Sequence, residues 1–368
     1  VTDLSRRKRI LFAALPSLVS AMVLIVGAEA YLRHKFDAIG HITGVAEWQT
    51  ATWKTMTYFW DQYHPIFGWT NLPGYESDER VPFRVRINSQ GLRADRDYDL
   101  EPAPGIQRVA VLGDSATFGE EVDDDATFPH FLEQHLQDAE VLNLGVHGFG
   151  LGQMMLRMEE EAFRFNPDRI VVVLLLPEDI GRVSLKVFSH AKPAFRVDNG
   201  RLVMSNSPVP IASRTPWLYR HSYLAAWLFA RPETLPEMKA TSEGKWVTRL
   251  LLERIQAECA KREIPLTVVS MAGPGTIHQF RSNRALPNAV TGLRAEIRGL
   301  ELDLLDLIDD LTATLVKYRK AGQAQLLVKE HGHWARPANC LIAEKIAEHL
   351  AAQDAGLSVR ADHPLCPL

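Results

Sequence analysis

The run Ile170-Val171-Val172-Val173-Leu174-Leu175-Leu176 is seven consecutive apolar residues, four of them β-branched. A strand with no polar alternation has no solvent face, so it belongs inside a sheet covered on both sides. Shorter runs of the same kind, Val109–Leu112, Val141–Leu144, Leu266–Ser270 and Leu302–Leu307, alternate with helical patterns near Phe128–Gln137, Leu151–Phe165 and Lys245–Arg262. That rhythm predicts an α/β domain, a five-stranded parallel sheet in a three-layer α/β/α sandwich. With 368 residues there is ample chain for such a core.

One long insertion, residues 181–242, interrupts the rhythm. Phe195–Val203 within it reads as a hairpin turning at Asn199-Gly200, and Trp217–Phe229 as an aromatic helical stretch. Insertions after the carboxyl end of a strand fall near the ligand crevice of such sheets, so this one is a candidate lid or substrate platform, with surface elaboration as the alternative.

Ahead of the domain, Arg6-Arg7-Lys8-Arg9 precedes an uncharged stretch, Ile10–Ala28. As a helix it rises about 28 Å, close to the thickness of a bilayer's hydrocarbon core. The basic cluster predicts a cytoplasmic amino terminus and an extracytoplasmic domain. A cleaved signal peptide is the competing reading, because Ala28-Glu29-Ala30 offers small residues at suitable offsets. A valine at position 1 fits a GTG start read literally, a hint of a prokaryote. Trp53, Met56, Trp60, Tyr63 and Phe67 recur at helical spacing, which predicts an amphipathic helix either at headgroup level or packed on the following domain. His64 to Asp99 reads as irregular chain with short strands around Phe83–Ile87, and Gln325–Val328 as a last strand region.

The net charge of −4 gives no reason to expect nucleic acid, and no Walker loop or dinucleotide fingerprint implies a cofactor. His331-Gly332-His333 supplies too few ligands for a metal site. Cys259 and Cys340 sit in helical patterns as small buried hydrophobes, while Cys366, in the tail, is open to pairing with a partner.

Candidate chemistry centres on Gly113-Asp114-Ser115, where the first strand ends and a helix begins. A serine hydroxyl is a weak nucleophile until a base takes its proton, so a histidine must reach the same sheet edge. His333 is the candidate base, with His331 as its competitor, and Glu330 is the candidate acid that orients the ring.

These blocks resemble the SGNH (GDSL-type) hydrolase superfamily. Gly113-Asp114-Ser115-Ala116-Thr117-Phe118-Gly119 matches its first block, and Asn143-Leu144-Gly145-Val146-His147-Gly148 its second, with the oxyanion glycine at Gly148. Glu330-His331-Gly332-His333-Trp334 matches its fourth, with Glu in place of Asp. The lead-in segments His64–Trp69 and Ile87–Arg93 resemble membrane-anchored members found with bacterial polysaccharide systems. The resemblance implies a flavodoxin-like SGNH hydrolase fold, with Ser115 as nucleophile and Ser115 and Gly148 as oxyanion donors.

The third block departs from the pattern. Leu176-Pro177-Glu178-Asp179 puts Glu178 where the family has a hydrogen-bonding asparagine. An ionised carboxylate has no donor there, and losing one such donor costs about 2.7–4 kcal/mol. Glu178 escapes that conflict if it is protonated, or if it turns away to an arginine such as Arg182 or Arg157.

The expected organisation is a basic tail at 1–9, a membrane span at 10–28, a lead-in at 29–105, the SGNH-like domain at 106–355 and a tail at 356–368. The functional expectation is a bacterial inner-membrane, extracytoplasmic serine esterase or O-acyltransferase acting on an acylated saccharide, with the bilayer as partner. The alternative is an impaired SGNH scaffold within a membrane protein complex.

Overall fold

The computed structural model describes residues 2–35, 60–188, 190–209, 218, 221–229, 242–277, 288–330, 332–361 and 366, with side chains described except at 2–14, 187, 242, 288 and 289. It opens with a helix, α1 (Thr2–Lys35), followed by a hairpin of β1 (Asp61–His64) and β2 (Gly68–Asn71). The sheet strands β3 (Gln107–Leu112), β4 (Ala139–Asn143) and β5 (Arg169–Leu175) come next. Two small hairpins occupy the insertion, β6 (Val187–Phe188) with β7 (His190–Ala191), and β8 (Ala194–Asp198) with β9 (Arg201–Ser205). Then β10 (Leu266–Met271) and β11 (Asp303–Asp306) complete a five-stranded parallel sheet in the order β11-β10-β5-β3-β4.

The apolar run holds the centre, as expected. β5 is paired on one edge with β10 and on the other with β3, and Val171, Val172 and Val173 are buried. The chain steps from β3 outward to β4, then crosses back to β5 and on through β10 and β11. Right-handed crossovers in opposite directions put the connecting helices on opposite faces. Helix Phe128–His135 packs with helix Arg336–Gln353, while helices Leu151–Glu160 and Asn288–Arg298 pack with Ser242–Ala260. The reversal leaves a crevice beyond the carboxyl end of β3, where the Gly-Asp-Ser turn lies.

The hairpin expected at Asn199-Gly200 forms, both residues taking positive φ (49° and 75°) as a type I′ turn requires. Other expectations need correction. The helical stripe from Trp53 to Phe67 is not helical where described: Tyr63 lies in β1 and Phe67 in the β1–β2 turn (Trp53 and Met56 fall outside the described residues). Trp60 and Phe67 are fully buried, Trp60 stacking on Phe118, so this aromatic set packs on the domain rather than on headgroups. A spacing of three and four identified apolar residues, but a two-stranded turn buries them equally well. Phe83–Ile87 forms only an isolated bridge, Glu76 to Arg86, and Gln325–Val328 is a 3₁₀ turn followed by a bridge from Val328 to Trp334. Cys340 is not a bystander hydrophobe, since it is disulfide-bonded to Cys366.

Candidate active site

Ser115 is the first residue of a four-residue helix, Ser115–Phe118, immediately beyond β3. Asp114 makes the turn rigid: its Oδ1 accepts the Ala116 N–H at 2.9 Å, and its Oδ2 pairs with the buried Arg182 at 3.0 Å. Arg182 also pairs with Asp179 and donates to the Phe149 carbonyl, which ties the turn after β3 to the segment after β5. Asp179 is fully buried, and burial with the nearby Asp114 charge raises its pKa well above the carboxylate range.

His333 reaches Ser115 from a loop closed by the Val328–Trp334 bridge. Its Nε2 lies 3.1 Å from Ser115 Oγ, hydrogen-bonding distance for proton transfer. The carboxylate on its Nδ1 is Glu121 Oε2, at 2.8 Å, and the same oxygen accepts the His333 backbone N–H at 3.3 Å. Glu330, the expected acid, is exposed. His331 falls outside the described residues. A second carboxylate, Glu120, stands 3.6 Å from His333 Nε2 and 2.9 Å from His147 Nδ1, and is 3% exposed. Burial alone would lower the His333 pKa. The Glu121 hydrogen bond and the charges of Glu120, Glu121 and Asp114 outweigh it, so the pKa is raised.

Glu120 and Glu121 are placed by a loop that the lead-in holds. Arg93 donates to the carbonyls of Phe118, Gly119, Val122 and Arg84, with its side chain 1% exposed. Asn71 Nδ2 donates to both Gly91 and Gly145, fastening the same lead-in to the second block. Gly145 must be glycine because a Cβ there would lie 2.2 Å from the Phe118 backbone nitrogen.

Gly148 takes φ +67°, and neither its N–H nor that of Ser115 has an acceptor among the described residues. These are the two backbone donors expected of an oxyanion hole. Phe188, at the start of the insertion, lies against Gly148, where an added Cβ would meet its ring at 3.0 Å. Glu178 turns away from the turn that bears Ser115. Its Oε1 accepts the Thr276 hydroxyl at 2.6 Å, and Thr276 follows β10, on the side of β5 opposite β3. Its Oε2 is buried with no hydrogen-bond partner among the described residues. Neither arginine suggested as its partner takes that role. Arg182 is held by Asp114 and Asp179, and Arg157 by Glu161 and the Gly91 carbonyl.

Of the residues expected from the sequence, the structure brings Ser115 and His333 together; Glu120, Glu121, His147 and Arg93 were not singled out by sequence reasoning. The available signal was the adjacent Glu120-Glu121 pair, which directly follows the serine's block.

No protein-family model and no curated protein matches the chain. Among solved structures it is similar to the acetyl xylan esterase AlAXEase (18% identity, TM-score 0.41, 66% of this chain and 98% of that one). It is similar to the lipase/acylhydrolase from Enterococcus faecalis (14%, 0.41, 69% and 99%). It is also similar to a catalytic mutant of Axe2, an acetylxylan esterase from Geobacillus stearothermophilus (11%, 0.39, 66% and 94%). On its own topology, the fold is the flavodoxin-like doubly wound type: a parallel sheet in the order β11-β10-β5-β3-β4, with the Gly-Asp-Ser turn at the end of its first strand.

Proposed function

We propose that this chain is a serine esterase or O-acyltransferase with Ser115 as nucleophile, His333 as general base and Glu121 as the acid that orients it. The observation that carries the reading is the continuous chain Ser115 Oγ, His333 Nε2, His333 Nδ1 and Glu121 Oε2, with steps of 3.1 and 2.8 Å. His333 takes the hydroxyl proton as Ser115 Oγ attacks an ester carbonyl. The N–H groups of Ser115 and Gly148 then hold the developing oxyanion. His333 returns the proton to the leaving alcohol. Water, or the hydroxyl of a second saccharide, takes the acyl group in the second half-reaction. An acylated saccharide is the substrate class implied by the resemblance of the sequence blocks.

The impaired-scaffold reading rests on the altered third block together with the anchor, the aromatic lead-in and the long insertion. The hydrogen bond that Glu178 accepts from Thr276 speaks against the first of these and supports a hole of two backbone donors. We further propose that α1 is a retained membrane tether. Leu15–Lys35 is long and apolar enough to cross a bilayer, and Glu29, inside the candidate cleavage site, hydrogen-bonds to the insertion at Ser222, Tyr223 and Leu224.

Fluorophosphonate labelling of the detergent-solubilised full chain tests the catalytic reading. Labelling and acetyl-ester turnover are expected for the native chain and for neither Ser115→Ala nor His333→Ala. A native chain that neither labels nor turns over above Ser115→Ala defeats it.

A further inference from the structure

We propose that the insertion helix Tyr223–Phe229 is a second membrane contact, an interfacial element that places Trp227, Leu228 and Phe229 in the bilayer's headgroup region beside the exit of α1. This rests on the reading of α1 as a membrane tether.

Along α1, the large apolar residues Leu15, Leu18, Val19, Met22, Val23, Leu24, Ile25 and Val26 are 51–73% exposed, so they are not covered among the described residues. Contact begins one turn later, where Ala28 and Glu29 are half-buried and Leu32 is buried. What arrives there is the insertion helix. Glu29 Oε1 accepts the Tyr223 N–H at 3.0 Å, and Oε2 accepts the Leu224 N–H at 2.8 Å and the Ser222 hydroxyl at 2.9 Å. Arg33 pairs with Glu29 at 2.8 Å, donates to the His221 carbonyl at 2.7 Å and covers the Tyr223 ring at 4.8 Å. A carboxylate at a bilayer edge is tolerated only when its charge and lone pairs are answered, and here one cation and three donors answer them. The contact is therefore a latch that fixes the start of the insertion helix at the membrane exit.

The rest of that helix divides by size. Ala225 and Ala226 are buried, while Trp227, Leu228 and Phe229 are 57%, 50% and 61% exposed. Three consecutive large apolar side chains in water are an unfavourable surface for a soluble domain. At the end of a membrane helix they are what an interface accommodates, with tryptophan favoured at headgroup depth. Arg33, His34 and Lys35 lie in the last turn of α1, where Arg33 meets the start of the same helix at His221 and Tyr223, a basic cluster suited to lipid phosphates. Lipid is thus favoured over protein by continuity with the exposed face of α1 and by this charge.

The test uses the full chain in phosphatidylcholine–phosphatidylglycerol vesicles, with a nitrobenzoxadiazole label on one added cysteine in a Cys259→Ala background. The labelled variants are Leu228→Cys, Met22→Cys within α1 and Met204→Cys on β9, and doxyl-labelled lipids are the quenchers. The label at position 228 is expected to be quenched at least about threefold more than at 204, best by doxyl groups near the headgroup, and that at 22 best by deep ones. Adding Glu29→Ala should bring quenching at 228 down to the level at 204 while leaving 22 unchanged. If 228 is quenched no more than 204 while 22 is quenched, the proposal is wrong and the tether stands. If 22 also escapes quenching, tether and proposal fall together. Shielding at 228 that grows with protein concentration, without lipid quenching, assigns the patch to a second copy and overturns the proposal.

Discussion

Glu121 sits at φ +67°, a left-handed conformation that costs a non-glycine residue of order 1–3 kcal/mol and persists where the surroundings impose it. The return on that strain is geometric, because it aims one carboxylate oxygen at both Nδ1 and the backbone N–H of His333. Glu121→Gln keeps the side-chain shape but removes the charge that stabilises an imidazolium. Its kcat on an acetyl ester is expected to fall on the order of a hundred- to ten-thousand-fold, with KM little changed. Glu330→Gln, at an exposed position, should stay within about twofold of the native rate. Equal losses in the two variants would remove Glu121 from the proposed triad. The pH profile follows from the neighbouring charges. With a raised pKa, His333 becomes a free base only at higher pH than an ordinary histidine, so the acid limb of kcat/KM lies to the alkaline side of the usual histidine range. The linkage has the matching sign: the stabilisation from protonated His333 is complete below its unfolded pKa and is lost as pH rises through the folded one. Glu120→Gln withdraws one of the carboxylates holding the pKa up, so the limb in a pH–rate series should move to lower pH. A limb that stays put or moves to higher pH contradicts this account of the site.

The loop from Phe118 to Val122 is the element that makes the site, and it is held from outside the sheet. Arg93 serves three carbonyls there and that of Arg84, and pairs with Asp124 at 3.3 Å, so it substitutes for the backbone ladder that an irregular loop lacks. Arg93→Met removes the Arg93 donors from those carbonyls and one of the three arginines that pair with Asp124. A loss of about 3–5 kcal/mol is expected in urea denaturation, with esterase activity falling alongside. Arg93→Lys, a point charge instead of a planar fork, should recover only part of it. Elements whose sequence dictates their surroundings were legible: β5 could only be central, and Asn199-Gly200 could only turn. The lead-in was not. Trp60 is buried against Phe118 and Phe67 against Phe149, while half-buried Tyr63 donates to the Val209 carbonyl; these partners are far away in sequence, and no local periodicity encodes such contacts. The proposed catalytic constellation divides in the same way. Ser115, Gly148 and His333 each stand in a short block whose backbone does the positioning. Which carboxylate meets His333 depends on a loop path spanning 212 residues of sequence separation, and which way Glu178 turns depends on a hydroxyl beyond the next strand.

At the scale of the whole molecule, the crevice beyond β3 is built from sheet, lead-in and loop segments far apart in sequence. The carboxyl-terminal tail is drawn onto the domain as well, through the disulfide between Cys340 in helix Arg336–Gln353 and Cys366. That helix packs on Phe128–His135, and Gln137 N–H donates to the Ser358 carbonyl at 2.8 Å, so the tail crosses the end of the same helical layer. A structural disulfide persists in an oxidising compartment, which agrees with the proposed extracytoplasmic side for the domain. Closing a loop of 26 residues restricts the unfolded chain by about 3–4 kcal/mol on the chain-entropy account. Cys340→Ala with Cys366→Ala should therefore lower the urea midpoint of the solubilised full chain by an equivalent of about 2–4 kcal/mol. Ester turnover at low temperature should be nearly unchanged, because neither cysteine touches the Ser115–His333–Glu121 chain. Dithiothreitol should shift the native protein by the same amount and the double variant by none. A midpoint insensitive to reductant would mean that the two thiols are not joined in the native chain, and the tail's attachment would then rest on its hydrogen bonds alone.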